Sequence, residues 1–325
     1  MLAALAALSL VVGCGGGAEE EQAGGGASRE LELMLDYFPN ADHAGIYAAQ
    51  AGGHFRKAGL DVAVRQPPDP AAPLKQVAAG RVDVAISYEP EVLRARDQGL
   101  DVVAVGALVQ GPLTSIISLP EAGIDGPEDL AGKRVGTSGI DYQSAYLQTI
   151  LERSGRRRAR ELNVGFSLTP ALLTGRVDAV LGAYWNYEGT ELRLKGKEPR
   201  IIRMDEVGVP TYDELVLVAN ERSLREQGPA IRSLLDALAR GTADLARDPD
   251  AGVRGLLEAN RDLDPKLQRE VVKVTLPLFA APRGKPYGYQ DPREWKAFGE
   301  WMREQRLLKK PASGGFTNEY LPPAS

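Results

Sequence analysis

Four polar side chains follow the first apolar segment of the chain. Asp36 and Tyr37 come directly after the alternating leucines of residues 31–35, and Asn40 and His43 stand at the start of a predicted helix. Open α/β sheets direct such groups at ligands, from the carboxyl ends of strands and the N-termini of helices. The alternative is an ordinary strand–helix corner whose polar groups only cap the helix. The segment is therefore a candidate binding site.

A short repeat places two further polar clusters after buried strands. Gly-Arg-Val-Asp occurs at 80–83 and again at 175–178, which is 95 residues later, and an apolar segment follows each copy. The first apolar segment ends in Ser87, Tyr88 and Glu89. The second ends in Tyr184, Trp185, Asn186 and Glu188. Two similar α/β lobes that face each other would bring both clusters to one cleft.

A glycine and hydroxyl turn is the remaining candidate contact segment. Thr137, Ser138 and Gly139 precede a helix predicted from Asp141 to Ser154, so backbone N–H groups can face a ligand there. The turn lacks the Gly-Lys-Ser/Thr signature of a P-loop, and a plain strand–helix turn is equally compatible with it. Tyr142 lies in the first turn of the helix.

Composition excludes several classes of function. The 325 residues carry a net charge of −5 without a basic stripe, which argues against nucleic acid binding. His43 and His54 are the only histidines, and Cys14 is the only cysteine, so we expect no metal site. No Ser–His–Asp spacing or nucleophile elbow is present. We expect no cofactor.

The N-terminal residues resemble those of a bacterial lipoprotein. An apolar segment too short to span a membrane ends in Val11-Val12-Gly13-Cys14, which looks like a lipobox cleaved before an acylated cysteine. Residues 1–13 are therefore predicted to be a signal peptide. The glycine- and glutamate-rich residues 14–29 are predicted to form a flexible tether. No Lys or Arg precedes the apolar segment, which departs from the usual pattern.

Strand-like and helix-like segments alternate from residue 30 to about residue 220, which predicts an α/β fold with mostly parallel sheets. The strands at 114–119 and 214–220 are the candidate crossings between two lobes. Beyond residue 229 the pattern is mostly helical, with helices predicted at 230–246, 250–259, 265–275 and 291–304.

Four segments together resemble a known family, the substrate-binding lipoproteins of ABC importers for thiamine pyrimidine precursors. The segments are Asp36–Gly45, Tyr184–Glu188, Pro210–Glu214 and Thr317–Leu321, within a match from about Leu31 to Leu321. The resemblance implies a two-lobed periplasmic binding protein fold of type II with two hinge strands. It assigns residues 30–116 and 218–325 to lobe 1 and residues 117–217 to lobe 2. Members bind an aminomethylpyrimidine or its formylamino form, and some relatives bind riboflavin.

The same superfamily contains the fungal pyrimidine synthase, from which this chain departs. The lysine that binds pyridoxal phosphate there is Ser87 here, and the histidine that is consumed there is Glu91 here. The cysteine-rich run of the enzyme is replaced by Gly208–Asp213, which has no cysteine. No amine is available at residue 87 for a Schiff base, so we expect a binding protein and not an enzyme.

The implied ligand is a small heteroaromatic molecule. A carboxylate can accept from the exocyclic amine and from a protonated ring nitrogen of an aminopyrimidine, with Glu188 as first choice, Asp36 second and Glu89 third. Aromatic rings would stack on it. The alternative for each acid is a solvated or capping role, and for each tyrosine a place in the core.

The expected contact residues are Asp36, Tyr37, Asn40, His43, Ser87, Tyr88, Glu89, Thr137, Ser138, Gly139, Tyr142, Tyr184, Trp185, Asn186, Glu188 and Tyr212. The expected partners are an ABC permease and, through lipid on Cys14, the outer face of the cell membrane. The protein is expected to be a monomer.

Overall fold

The structure is a computed structural model that describes residues 28–155, 158–312 and 314–324. The predicted signal peptide, most of the tether and Cys14 lie outside these ranges. The strands are β1 (Arg29–Met34), β2 (Leu60–Arg65), β3 (Val84–Ser87), β4 (Val102–Val109), β5 (Thr114–Ser118), β6 (Arg134–Thr137), β7 (Arg160–Asn163), β8 (Ala179–Tyr184), β9 (Arg200–Arg203) and β10 (Leu215–Asn220).

The helices alternate with the strands as far as β10 and then follow one another to the C-terminal region. They are α1 (Ala44–Ala51), α2 (His54–Lys57), α3 (Ala72–Ala78), α4 (Glu89–Asp97), α5 (Asp141–Arg153), α6 (Leu168–Leu173), α7 (Glu188–Leu194), α8 (Glu221–Arg247), α9 (Pro249–Ala259), α10 (Pro265–Phe279) and α11 (Pro292–Glu304). Short 3₁₀ helices cover Ala41–His43, Pro120–Ala122, Pro127–Leu130 and Asp205–Val207.

The strands form two five-stranded sheets with the same plan. The first has the order β2-β1-β3-β10-β4 and the second the order β7-β6-β8-β5-β9. In each sheet the fourth strand, β10 or β5, runs antiparallel to both neighbours, and the other described pairs are parallel. The predicted two-lobed α/β fold with mostly parallel sheets is thus confirmed. We call β1–β4 and β10 with α1–α4 and α8–α11 the first lobe, and β5–β9 with α5–α7 the second lobe.

The Gly-Arg-Val-Asp repeat has the same structural role in both lobes. Gly80 and Gly175 each end a helix with a φ of 66°, a left-handed conformation that favours glycine. Oδ2 of Asp83 accepts a backbone N–H of β1 at 2.8 Å, and Oδ2 of Asp178 accepts a backbone N–H of β6 at 2.8 Å. Each aspartate therefore ties the start of the third strand to its neighbour.

The chain crosses between the lobes twice, at residues 110–113 and at residues 204–214, which we call the crossing segments. The sequence-based expectation placed the crossings within strands. In the structure β5 lies entirely in the second sheet and β10 entirely in the first, so the crossings precede these strands. Glu214 joins the two segments, because its Oε2 accepts the N–H groups of Leu113 at 2.6 Å and Thr114 at 2.7 Å, and the hydroxyl of Tyr212 at 3.1 Å.

Two elements differ from the sequence-based prediction. Helix α8 begins at Glu221, where Asn220 caps it, and continues through Pro229, although the sequence suggested a start near residue 230. Leu224 and Ile231 are buried on the same side, so tertiary packing outweighs the cost of the proline. Strand β7 was not predicted, since it is an exposed edge strand whose residues lack apolar alternation.

Candidate functional site

A cavity lies between the lobes, at the carboxyl ends of β1 and β3 on one side and of β6 and β8 on the other. Its walls come from both lobes in similar number, so a ligand inside would contact both. The lining residues are Asp36, Tyr37, Asn40, Asp42, His43, Pro70, Tyr88, Ser138, Tyr142, Gln143, Leu168, Gly182, Tyr184, Tyr187, Glu188 and Leu215.

Asp36 is the buried carboxyl group of the first lobe. Its Oδ1 lies 2.8 Å from Nε2 of His43, and its Oδ2 accepts the hydroxyl of Tyr88 at 2.9 Å. A carboxylate offers about four lone-pair positions, so two protein donors leave acceptor capacity for a ligand. Asp36 can therefore bind an amino group without losing its protein contacts.

The hydrogen bonds of His43 assign a proton to Nε2. Its Nδ1 lies 3.3 Å from the backbone nitrogen of Asn40, which can only donate. Nδ1 is thus an acceptor, and Nε2–H donates to Asp36. The side chain of Asn40 caps the 3₁₀ helix by accepting the N–H of Asp42 at 2.8 Å. The turn after β1 is therefore a fixed frame behind Asp36.

Glu188 is the buried carboxyl group of the second lobe. It stands at the N-terminus of α7, and its Oε2 accepts the N–H of Tyr184 at 2.7 Å. Burial raises the pKa of Glu188 to about 8, and the acids Glu191 and Asp42 add to the rise. The raised pKa favours the protonated form of Glu188 at neutral pH.

A third acid, Asp42, connects the lobes at the cavity wall. Its Oδ1 accepts Nδ2 of Asn186 at 2.7 Å, and the same nitrogen contacts Oγ1 of Thr275 at 2.7 Å. Burial raises the pKa of Asp42 to about 7. Within the described residues, Oδ2 of Asp42 and Oδ1 of Asn186 have no hydrogen-bond partner.

Tyrosine rings form much of the remaining wall. Tyr88 and Tyr142 lie 5.6 Å apart between ring centroids, one from each lobe. Burial raises the pKa of Tyr88, Tyr142 and Tyr184 well above the ordinary value, so all three keep their hydroxyl proton. Tyr37 closes one side, where its hydroxyl donates to the backbone oxygen of Phe166 across the cleft and the two rings meet edge to face at 4.7 Å. The walls therefore supply flat apolar faces and neutral hydroxyl donors.

Nine of the sixteen expected residues line this cavity: Asp36, Tyr37, Asn40, His43, Tyr88, Ser138, Tyr142, Tyr184 and Glu188. The structure thus brings together the turn after β1, the β6–α5 turn and the two strand ends that follow the repeat.

Seven expected residues lie outside the lining, and three of them, Ser87, Thr137 and Gly139, have roles within one lobe. The hydroxyl of Ser87 donates to Glu91 at 2.5 Å, and the hydroxyl of Thr137 donates to Glu161 at 3.0 Å. Gly139 turns the chain with a φ of 84°. Asn186, described above, bonds to Asp42 rather than facing the cavity.

The other three support the crossing segments. Glu89 accepts the N–H of Asp213 at 2.8 Å, and Tyr212 donates to Glu214. Trp185 donates from Nε1 to the backbone oxygen of Pro112 at 3.0 Å, and the guanidinium of Arg203 lies 4.7 Å from its ring centroid. Successive residues after a strand point in different directions, so one cluster in the sequence divides between cavity and crossing.

Seven lining residues were not among the expected set: Asp42, Pro70, Gln143, Leu168, Gly182, Tyr187 and Leu215. Asp42 and Tyr187 lie within the motifs quoted above, where their position on the cavity side depends on the turn geometry. Gln143 follows Tyr142 in the first turn of α5. The others are two leucines, a proline and a glycine, which carry no chemical signal in a sequence.

Two negative findings apply to the described ranges. They contain no group of three or more His, Cys, Asp or Glu side chains that could hold a metal ion. In the same ranges, no helix is both long enough and apolar enough to cross a membrane.

Residues 40–252 match the family model described as "NMT1/THI5 like". The chain belongs to the NMT1/THI5-like family.

Two curated relatives in this family differ in function. The formylaminopyrimidine-binding protein of Halalkalibacterium halodurans is 35% identical over 291 residues, which cover 88% of each chain. The 4-amino-5-hydroxymethyl-2-methylpyrimidine phosphate synthase of Schizosaccharomyces pombe is 22% identical over 306 residues, 91% of this chain and 87% of the enzyme. The chain is thus more similar in sequence to the binding protein than to the enzyme. This agrees with the prediction of a binding protein.

A solved structure shows the same fold. The alkanesulfonate-binding protein SsuA from Xanthomonas axonopodis pv. citri aligns with a TM-score of 0.69 over 91% of this chain and 99% of its own, at 20% identity. The chain has the fold of the periplasmic binding proteins of ABC importers.

Proposed function

We propose that this protein is the extracytoplasmic solute-binding component of an ABC importer, and that its solute is a thiamine pyrimidine precursor of the formylaminopyrimidine or hydroxymethylpyrimidine type. The observation that carries the proposal is a cleft cavity to which each lobe contributes a buried carboxyl group, Asp36 and Glu188, between tyrosine rings. The relative that is 35% identical is a formylaminopyrimidine-binding protein.

The two acids suit an aminopyrimidine. Such a ring presents an exocyclic amine, which donates, beside a ring nitrogen, which accepts. A protonated Glu188 can donate to the ring nitrogen and accept from the amine, while Asp36 can accept from a second N–H. The tyrosine rings of the wall would stack on the flat ligand.

Two alternatives have less support. A flavin has two carbonyls that need donors, and the nearby carboxamide of Asn186 is already bonded to Asp42 and Thr275. The synthase reaction needs an amine at the position of Ser87, whose hydroxyl is bonded to Glu91.

The proposal includes attachment and transport. Cys14 would carry the lipid that holds the protein at the outer face of the cell membrane, and residues 14–29 would let it reach the permease. Ligand binding would close the lobes about the two crossing segments, so that the monomer presents a joint surface to the permease.

Calorimetry on the wild-type protein tests the ligand assignment. We expect saturable binding of formylaminopyrimidine or hydroxymethylpyrimidine and no signal with riboflavin. Tight riboflavin binding without a pyrimidine signal would overturn the ligand assignment and leave the transport role in place. Turnover of a pyridoxal phosphate adduct with iron, with loss of a histidine, would overturn the role as well.

Solution scattering tests closure. Saturating pyrimidine should reduce the radius of gyration of the protein. An identical radius with and without ligand would argue against closure about the crossing segments.

A further inference from the structure

The side chain of Gln143 lies in the cavity wall with a fixed amide orientation. Its Oε1 lies 2.9 Å from the backbone nitrogen of Ser138 and 2.9 Å from Oγ of the same residue. A backbone N–H can only donate, so the atom that faces it must be the amide oxygen. The amide nitrogen, Nε2, is therefore on the opposite side.

The missing side chain of Gly182 provides the space for this nitrogen. Gly182 has a φ of 98°, and a Cβ atom built on it would lie 2.3 Å from Nε2 of Gln143. Both residues line the cavity, and Gln143 is only 2% exposed. Nε2 can therefore donate to a ligand in the cavity.

Nε2 of Gln143 differs from the tyrosine hydroxyls of the wall, because it donates without accepting. Asp36, Asp42 and Glu188 supply carboxyl oxygens, which suit amino groups. The other lining carboxamide, Asn40, has both ends in use, since its Nδ2 donates to the backbone oxygen of Phe38 at 2.9 Å and its Oδ1 caps the 3₁₀ helix. A ligand oxygen that can only accept is therefore matched by Gln143.

We propose that Gln143 is the specificity-determining residue that donates to a carbonyl oxygen on the ligand, which on the proposed function is the formyl oxygen of formylaminopyrimidine. A hydroxymethyl group both donates and accepts, so it can turn toward a carboxyl group instead. A formyl oxygen can only accept, so it loses its hydrogen bond if the donor is removed. Sites that rely on one hydrogen bond reject a ligand that leaves a buried group unpaired.

The test compares two ligands rather than one. Calorimetry should show that the wild-type protein prefers formylaminopyrimidine over hydroxymethylpyrimidine by about tenfold or more. Gln143→Met keeps the length of the side chain and removes the donor, so the preference should fall by at least about tenfold. Gln227→Met is the matched control, because Gln227 bonds to Asp83 away from the cleft, and the preference should not change.

A second variant separates a donor role from a packing role. In Gln143→Glu, one oxygen still accepts from Ser138, and the other replaces Nε2. The new carboxyl group donates when protonated and repels a carbonyl oxygen when ionised, so the formyl preference should persist at low pH and vanish as the pH rises. A purely structural role would give no such pH dependence.

The outcomes distinguish the two proposals. Absence of binding of either pyrimidine to the wild-type protein would refute the proposed function. A formyl preference that is unchanged in Gln143→Met, with the variant folded by its thermal transition, would refute the role of Gln143 alone. An equal loss of affinity for both ligands would also refute it.

Discussion

Asn186 of the second lobe donates from Nδ2 to Oδ1 of Asp42 in the first lobe over 2.7 Å, beside the ligand cavity. Their other two oxygens, Oδ2 of Asp42 and Oδ1 of Asn186, find no donor among the described residues. A proton on Asp42 would supply that donor and give a reciprocal acid–amide pair. Burial raises the pKa of Asp42 to about 7, and the nearby acid Asp36 adds to the rise.

Replacement of Asp42 should change how ligand affinity depends on pH. Burial between the lobes raises the pKa of Asp42 to about 7, so protonated Asp42 favours the closed arrangement. The free energy of closure therefore becomes less favourable as the pH rises from the ordinary carboxyl range to about 7. Above about pH 7 it no longer changes with pH. Asp42→Asn keeps both hydrogen bonds without titrating. We therefore expect the affinity of the wild type relative to Asp42→Asn to fall between about pH 5 and pH 7.

Calorimetry across this range provides the measurement, and the ratio of the two proteins cancels titration of the ligand itself. Asp42→Ala is the companion variant, since it loses the bond to Asn186 and should bind more weakly at every pH. A ratio between wild type and Asp42→Asn that stays constant from pH 5 to pH 8 would show that Asp42 is ionised throughout.

Glu188 should bind the ligand as a neutral acid near neutral pH. Below its pKa of about 8, a carboxamide offers the same donor and acceptor, so Glu188→Gln should keep affinity within about tenfold at pH 6. Glu188→Ala removes both groups and should cost about ten- to a hundredfold. The control is Glu198→Gln, which changes an exposed acid shortly after the same helix. Equal losses for the Gln and Ala variants at Glu188 would instead indicate a charge-assisted bond from an ionised carboxylate.

Glu214 should matter for stability rather than for ligand chemistry. It is fully buried and accepts two backbone N–H groups and two hydroxyls from residues 113, 114 and 212. Glu214→Ala leaves these donors unpaired and should lower the free energy of unfolding by about 2–5 kcal/mol, as measured by urea denaturation. Glu226→Ala, which removes an exposed ion pair with Arg222, should change it by less than about 1 kcal/mol. Similar effects of the two variants would contradict a bracing role for Glu214.

Cys14 should determine whether the protein is attached to the membrane. If the lipobox is processed, Cys14→Ser prevents acylation, and fractionation of the cells should move the protein from the membrane to the soluble fraction. Ser9→Ala, a change of similar size in the preceding segment, should leave the protein on the membrane. Retention of Cys14→Ser on the membrane would refute lipid anchoring.

The sequence identified which segments form the cleft but not which side chains within them face it. Periodicity and the Gly-Arg-Val-Asp repeat indicated the strand ends, because strand burial and helix termination are local properties. Whether Tyr88 or its neighbour Glu89 faces the cavity depends on the start of α4 and on the contact of Glu89 with Asp213, 124 residues away.

Gln143 shows why some site residues could not be predicted from the sequence. Its side chain is oriented by Ser138 and has room because Gly182 lacks a side chain. Gly182 lies in β8 and comes close to Gln143 only because α5 packs against β8. The 3₁₀ helix after β1 is capped by Asn40, which leaves the side chain of Asp42 able to reach Asn186. Contacts between distant segments are what local sequence patterns do not encode.

The position of β10 between β3 and β4 sets an order for folding. The first four strands of the first sheet are synthesised without the strand that joins β3 to β4, because all of β5–β9 comes before β10 in the chain. The second sheet is contiguous from residue 114 to residue 203 and needs no later strand. Local contacts form faster than distant ones, so we expect the second lobe to fold first, as an insertion within an unfinished first lobe. A chain that emerges N-terminus first therefore exposes the apolar edges of β3 and β4 until residues 215–220 have arrived.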